Sequence, residues 1–157
     1  MENNDMNSIF AMDAENGVHL VNLTTKQLTW TKKMHSGCTC FKFGLKRSND
    51  EKRLATTGCC DKLVKLWRLE DQSELWAKNI GSQAWGVAWV LGDTYLIATG
   101  LKSTYKLVVL SPVDGNILLE HNTNFDCTLR SLAIHLPTKQ ILIGDNKGRV
   151  HKVKIEE

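Results

Sequence analysis

Several features are missing from this sequence of 157 residues, and each absence excludes a class of protein. The chain has no run of about 18 apolar residues, so we expect no membrane-spanning helix and no membrane partner. Its first residues are polar and acidic, unlike the basic start and apolar stretch of a secretory signal. The net charge is only +3, too mild an excess to indicate nucleic acid as a partner. These absences predict a soluble protein of the cytoplasm or nucleus.

Catalytic signatures are also missing. The sequence contains no Gly-x-x-x-x-Gly-Lys phosphate loop, no Gly-x-Gly-x-x-Gly dinucleotide turn and no Gly-x-Ser-x-Gly nucleophile turn. Its histidines and carboxylates form no evident acid–base pair. We therefore expect a protein that is not an enzyme, with no catalytic residue and no cofactor. The five cysteines are odd in number and lack the spacing of a secreted disulfide framework, so reduced thiols are expected.

Proline is scarce, with two residues, and short apolar or β-branched runs recur between clusters of turn residues. This pattern is typical of strands, and it predicts an all-β chain of about fourteen strands. Strands that begin at Val18, Val64, Tyr105 and Val150 align with separations of 46, 41 and 45 residues. A four-strand repeat of roughly 40 to 45 residues is typical of a propeller blade, because one small sheet cannot bury both faces until neighbours stack on it.

The second repeat carries a recognisable pattern. The segment from Leu54 to Gly58, followed by Asp61 and by the segment from Val64 to Trp67, resembles the core of a WD40 repeat. The resemblance implies a buried, hydrogen-bonded chain of side chains that consists of His35, Thr57, Asp61 and Trp67. Such a chain has a physical reason, since a buried imidazole or indole N–H without a partner costs a few kcal/mol.

The other repeats depart from the WD40 pattern. Val108 stands at the expected tryptophan position of the third repeat, and Lys147 replaces the turn aspartate of the fourth. The units cover roughly residues 8–33, 34–80, 81–122 and 123–157 within a single WD40-like repeat domain, 1–157. They contain three, four, four and three predicted strands, or about three and a half to four blades.

This count predicts a partial propeller, because WD40 rings resemble seven-bladed discs of about twenty-eight strands. Bare sheet edges and apolar faces at both ends would favour association. Another copy of the chain, a different chain, or a further portion of a longer gene product is therefore expected to complete the propeller.

The WD40 resemblance implies a non-catalytic scaffold that binds other proteins as a subunit of a complex. The loops on one rim of the disc are expected to bind the partner protein. That rim comprises Gln83, Trp85, Asn124, Phe125, Cys59 and Leu101. A narrower alternative is a Ski8-like adaptor, which the segments 61–67, 84–85 and 95–100 resemble.

An alternative from another class is a zinc-binding or redox protein that uses the cysteines of the second repeat. Cys38, Cys40, Cys59 and Cys60 all belong to that repeat. Their spacing is not the paired Cys-x-x-Cys of most zinc sites, and adjacent residues on a strand point to opposite faces. The favoured interpretation is that these small side chains fill gaps in the blade. No metal ligand is therefore predicted.

Overall fold

The computed structural model describes residues 7–13, 17–36, 44–101, 105–123, 129–135 and 140–154. These residues form fourteen strands in four antiparallel sheets of three, four, four and three strands. The predicted all-β class is confirmed, and the fourteen described strands agree with the predicted number. No helix in these ranges is long and apolar enough to cross a membrane. The chain divides into two compact units, residues 1–41 and 42–157.

The first unit contains sheet 1. Its strands, in spatial order, are β1 Ser8–Met12, β2 Gly17–Asn22 and β3 Gln27–Lys33. The side chain of Asn22 closes the turn between β2 and β3 by accepting hydrogen bonds from the backbone N–H groups of Thr24 and Thr25, each at 2.9 Å. Asparagine is favoured in such turns because its short side chain can replace a backbone partner. The rings of Phe10 and Trp30 pack edge to face, with centroids 5.8 Å apart.

The second unit contains sheets 2, 3 and 4, and in each sheet the strands are neighbours in chain order. Sheet 2 comprises β4 Leu45–Arg47, β5 Arg53–Thr57, β6 Leu63–Arg68 and β7 Glu74–Asn79. Sheet 3 comprises β8 Gln83–Val90, β9 Tyr95–Leu101, β10 Tyr105–Leu110 and β11 Ile117–Thr123. Sheet 4 comprises β12 Leu129–His135, β13 Gln140–Asp145 and β14 Val150–Lys154.

The core of this unit lies on both faces of sheet 3. One cluster joins Val64 and Leu66 of sheet 2 to Leu96 and Val108 of sheet 3. A second cluster joins the opposite face of sheet 3 to Ile141 and Ile143 of sheet 4. Burial on both faces explains why β8 and β9 read as nearly continuous apolar runs rather than as alternating patterns.

Two equivalent hydrogen bonds, one in each sheet, show which positions of sheets 2 and 3 correspond. The Thr57 hydroxyl accepts from the backbone N–H of Gly44, and the Thr99 hydroxyl accepts in the same way from that of Gly86. Thr57 pairs across the sheet with Val64, and Thr99 pairs with Leu107. Val64 and Leu107 are therefore equivalent, and the predicted alignment on Tyr105 is wrong by two residues.

The corrected alignment changes the residue that stands at the tryptophan position of sheet 3. Trp67 is equivalent to Leu110, and not to Val108 as the sequence alignment predicted. The prediction failed because strand alternation is preserved by a shift of two residues, so the apolar pattern does not distinguish the two registers. The first two strands of sheets 3 and 4 pair with an equivalent bulge, after which Gly86 faces Thr99 and Ser131 faces Gly144. Gly144 is therefore equivalent to Thr99. Their partners on the third strands, Val150 and Leu107, are equivalent as well.

A bulge also recurs where the third strand pairs with the fourth. It lies between Leu66 and Trp67 in sheet 2 and between Val109 and Leu110 in sheet 3. Directly beside it, Leu66 faces Trp76 and Val109 faces Leu119. Trp76 and Leu119 are therefore equivalent positions on the fourth strands.

Candidate protein-binding surface

Trp67 forms a buried polar contact inside sheet 2. Its ring is 4% exposed, and the indole Nε1 donates a hydrogen bond of 2.9 Å to the hydroxyl of Thr56. The hydroxyl of Thr57 is occupied at Gly44 instead. The threonine that serves Trp67 is therefore Thr56, and the assignment of this role to Thr57 is wrong. Adjacent residues on a strand point to opposite faces, so only one of the two can reach the tryptophan.

The two other members of the predicted chain of side chains are placed as follows. His35 is buried, and Asp61 is half-buried in the turn between β5 and β6. The Asp61 carboxylate accepts a hydrogen bond of 3.1 Å from the backbone N–H of Leu63. Asp61 therefore stabilises the turn that positions β6. Its connection to Trp67 through His35 stays a prediction.

The predicted binding rim is only partly accessible. Trp85 is 6% exposed and Cys59 is 3% exposed, so neither side chain is available to a partner on the surface of this chain. Trp85 lies on β8, which is buried along nearly its whole length, and this burial corrects its assignment to the rim. Gln83 begins β8 and is half-buried, and Leu101 ends β9. Asn124 and Phe125 lie outside the described residues.

The cysteines of the second repeat do not form a described metal site. Cys38 and Cys40 lie outside the described residues, and within the ranges that are described no three His, Cys, Asp or Glu side chains cluster in a way that could hold a metal ion. Cys60 is disulfide-bonded, which corrects the expectation of a reduced thiol at this position, whereas Cys59 is outside any disulfide. A sulfur in a disulfide is not the thiolate that zinc requires, so Cys60 could join a zinc site only after reduction.

An apolar groove opens between sheets 3 and 4, beside the edge strand β14. Its volume is about 680 Å³. The β14 groove is lined mainly by Ile97, Val109, Leu118, Leu119, Ile141 and Val153. Leu118 and Leu119 are 54% and 58% exposed, which is unusual for neighbouring leucines on a strand. Sequence reasoning missed this groove, although the Ile-Leu-Leu run at 117–119 was a visible signal.

The corresponding place between sheets 2 and 3 is filled by Trp76. Its indole Nε1 donates a hydrogen bond of 3.1 Å to the backbone carbonyl of Pro112. The ring also lies against Gly115, where an added Cβ would approach Trp76 Cε3 to 2.7 Å. Gly115 has a positive φ of 72°, so both its backbone conformation and the ring favour glycine. The tryptophan and the turn of sheet 3 thus form one packed contact.

Salt bridges join the third strand to the fourth in both four-stranded sheets. Lys65 pairs with Glu74 at 2.9 Å, and Lys106 pairs with Glu120. In sheet 4 the third strand is β14, and within the described part of the chain no strand pairs with its other side. Lys152 and Lys154 are exposed along this strand. The edge of β14 is therefore basic, and it borders an apolar groove.

Comparison with known proteins identifies the fold. No protein-family model matches the sequence. A chain of a solved mitotic checkpoint complex superimposes with a TM-score of 0.82 at 13% identity, over 98% of this chain. The β-propeller domain of Cps50 (Swd1) from Myceliophteria thermophila superimposes with a TM-score of 0.73 at 14% identity, over 94% of this chain. The chain spans about half of each of these, 48% of their length. The predicted fold, a partial β-propeller, is confirmed.

Proposed function

We propose that this chain, folded as part of a WD40-type propeller, is a non-catalytic scaffold that binds other proteins and is a subunit of a larger complex. The observation that carries the proposal is the apolar groove with exposed leucines beside β14, a strand that among the described residues pairs on one side only. Contiguous exposed apolar surface beside unpaired backbone groups is typical of interaction sites. A Ski8-like adaptor is the narrower form of this proposal. The fold alone does not select it.

The proposal extends to the assembly. Sheets 1 and 4 each have three described strands, and β1 and β14 lie at sheet edges. We infer that another copy or another chain covers these edges and completes the propeller, with the four repeats acting as a single domain. One rim would contribute Gln83 and Leu101, as well as Asn124 and Phe125. Proteins rather than nucleic acid or membrane are the proposed partners, in the cytoplasm or nucleus.

Light scattering combined with hydrogen exchange tests the assembly. The full chain is measured over a range of concentrations, and exchange is followed at residues 8–12 and 150–154. We expect fast exchange of both segments in the monomer and protection in the associated state. A stable monomer in which both segments exchange slowly would contradict the need for a partner.

A redox role is a second candidate, favoured by the disulfide at Cys60. Disulfides in cytosolic proteins are usually transient and serve catalysis or redox sensing. Thiol alkylation followed by mass spectrometry, with and without prior reduction, tests this role. We expect Cys60 to be alkylated only after reduction, and its alkylation without reductant would remove the candidate. Metal analysis of the reduced chain distinguishes the related alternative, because stoichiometric zinc would indicate a metal site.

A further inference from the structure

We propose that the disulfide of Cys60 is a reversible redox switch that orders the proposed binding rim through the turn between β5 and β6. In the oxidised chain the disulfide ties this turn to a second cysteine, and in the reduced chain the turn and the start of β8 loosen together. The inference deepens the redox candidate and rests on it, because it states what the disulfide controls.

The disulfide lies where a reductant can reach it. Cys60 is exposed in the turn, whereas the adjacent Cys59 is 3% exposed and outside any disulfide. The sequence has three other cysteines, Cys38, Cys40 and Cys127, and one of them is therefore the partner of Cys60. Exposed disulfides are the labile and regulatory ones, because a thiolate from solution can attack their sulfur atoms.

The turn that carries Cys60 also holds the connection between sheets 2 and 3. On one side of Cys60, the backbone carbonyl of Gly58 accepts a hydrogen bond of 3.3 Å from the N–H of Ala84. On the other side, the carbonyl of Lys62 accepts a hydrogen bond of 3.1 Å from the N–H of Ile80. Ile80 and Ala84 are buried and bracket the connection from β7 to β8. A movement of the turn therefore reaches this connection directly.

The backbone of the turn needs outside support to keep its conformation. Lys62 has a positive φ of 61°, which a residue with a side chain adopts only where the surroundings hold it. Asp61 supports the turn through its hydrogen bond with the N–H of Leu63. The disulfide restricts the same turn covalently, two residues before Lys62. Reduction is therefore expected to loosen this conformation before it affects the core.

The connection leads to the proposed binding rim. Gln83 directly precedes Ala84 and pairs across sheet 3 with Leu101. Gln83 and Leu101 are the two rim residues that the structure describes on strands. The oxidised turn thus fixes the backbone on which the rim stands, and the reduced turn leaves the rim less ordered for a partner.

The chemical step is thiol–disulfide exchange with a small thiol such as glutathione. The glutathione thiolate attacks one sulfur of the disulfide, forms a mixed disulfide and releases the other cysteine as a thiolate. A second glutathione then attacks the mixed disulfide and leaves as glutathione disulfide. Two glutathione thiols thereby supply two electrons and two protons, and the protein gains two thiols. Glutathione disulfide reverses both steps.

A glutathione titration of the native full chain tests whether the disulfide is reversible. After incubation in buffers of different ratios of glutathione to glutathione disulfide, native alkylation and mass spectrometry measure the thiol fraction of Cys60. We expect Cys60 to pass from disulfide to thiol across these ratios and to return when the ratio is reversed. Buried Cys59 is the internal control, since its alkylation should stay low at every ratio.

Amide exchange measured by NMR tests what the switch controls. In the reduced chain the amides of Ile80 and Ala84 should exchange at least about tenfold faster than in the oxidised chain. The amide of Gly115, which donates a hydrogen bond of 2.9 Å to the Ser111 carbonyl in the turn between β10 and β11, is the control and should not change. Cys60→Ser should reproduce the reduced state and should not respond to glutathione.

Serine variants of the other cysteines identify the partner and provide matched controls. Among Cys38→Ser, Cys40→Ser and Cys127→Ser, only the variant that removes the partner should expose the Cys60 thiol to alkylation without a reductant. That variant should also show the fast exchange of Ile80 and Ala84. The other two should behave like the parent chain.

Three results would overturn the proposal. These are reduction of Cys60 only after the chain is unfolded, equal exchange of Ile80 and Ala84 in the two redox states, and faster exchange that includes Gly115 to the same degree. The last result would mean that the disulfide stabilises the whole unit rather than the rim. All three leave the scaffold function intact, since the assembly measurement tests it separately. Alkylation of Cys60 in the untreated chain would instead remove the redox candidate itself.

Discussion

The two sheet interfaces of the second unit differ in what packs beside the fourth strands. Between sheets 2 and 3, Trp76 of a fourth strand packs on the turn of the next sheet and donates a hydrogen bond to Pro112. Between sheets 3 and 4, the equivalent residue is the shorter Leu119, and sheet 4 has three described strands. The result is a groove of about 680 Å³. The fourth strand of sheet 2 and its large Trp76 side chain close the first interface, while the first three strands of each sheet supply most of the shared core.

Replacing Trp67 should have the largest effect on stability. Trp67→Ala removes a large buried ring and should lower the free energy of unfolding by about 3 to 5 kcal/mol. Chemical denaturation measures this change. Trp67→Leu is the matched control, because sheet 3 has Leu110 at this position, and it should cost less than the alanine variant. An alanine variant as stable as the parent would contradict the burial of Trp67.

Replacing Trp76 tests how the closed interface differs from the open one. Trp76→Ala should lower the free energy of unfolding by about 2 kcal/mol, since it removes packing and leaves the Pro112 carbonyl without its indole donor. The effect should be smaller than that of Trp67→Ala, because Trp76 is only partly buried. Trp76→Leu should be milder and should make this interface resemble the one at Leu119. If Leu119→Ala were as destabilising as Trp76→Ala, the two interfaces would not differ as described.

The two threonines of β5 can be separated by a double-mutant cycle. Thr56→Val should lose the hydrogen bond from Trp67 and couple to Trp67→Phe by about 1 kcal/mol. Thr57→Val should destabilise the chain through Gly44 but should not couple to Trp67→Phe. Denaturation of the four members of each cycle measures the coupling. Coupling at Thr57 and none at Thr56 would mean that Thr57, and not Thr56, accepts the hydrogen bond from Trp67.

The sequence allowed most of the architecture to be predicted, because strand alternation, turn residues and a repeat of fixed length depend on local chemistry. It failed where two arrangements share the same local pattern. Thr56 and Thr57 are identical residues on opposite faces, and only the pairing with β6 decides which one reaches Trp67. Likewise, Val108 and Leu110 are both apolar residues on one face of β10. The placement of Trp85 on the rim failed because its burial depends on sheets contributed by distant segments.

The smallest expected effect concerns two equivalent turns, one in sheet 2 and one in sheet 3. The hydroxyl of Ser73 donates a hydrogen bond of 2.7 Å to Asp71 and holds the pKa of that carboxyl below its ordinary value near 3.8. Ser111 lowers the pKa of Asp114 in the turn between β10 and β11. Because the folded-state pKa is the lower one, each carboxylate stabilises the fold above the ordinary pKa. That contribution is lost as the pH falls through the lowered pKa.

Ser73→Ala should therefore raise the pKa of Asp71 toward its ordinary value and leave that of Asp114 unchanged, since the two turns belong to different sheets. Titration of the carboxyl resonances by NMR measures both groups in one experiment, with Asp114 as the internal control. The effect on stability should be small, because Asp71 is exposed and solvent screens its interactions. An unchanged pKa of Asp71 in the variant would show that the serine hydroxyl is not the main cause, and would leave the backbone N–H of residue 73 and the nearby Arg68 as the groups that lower it.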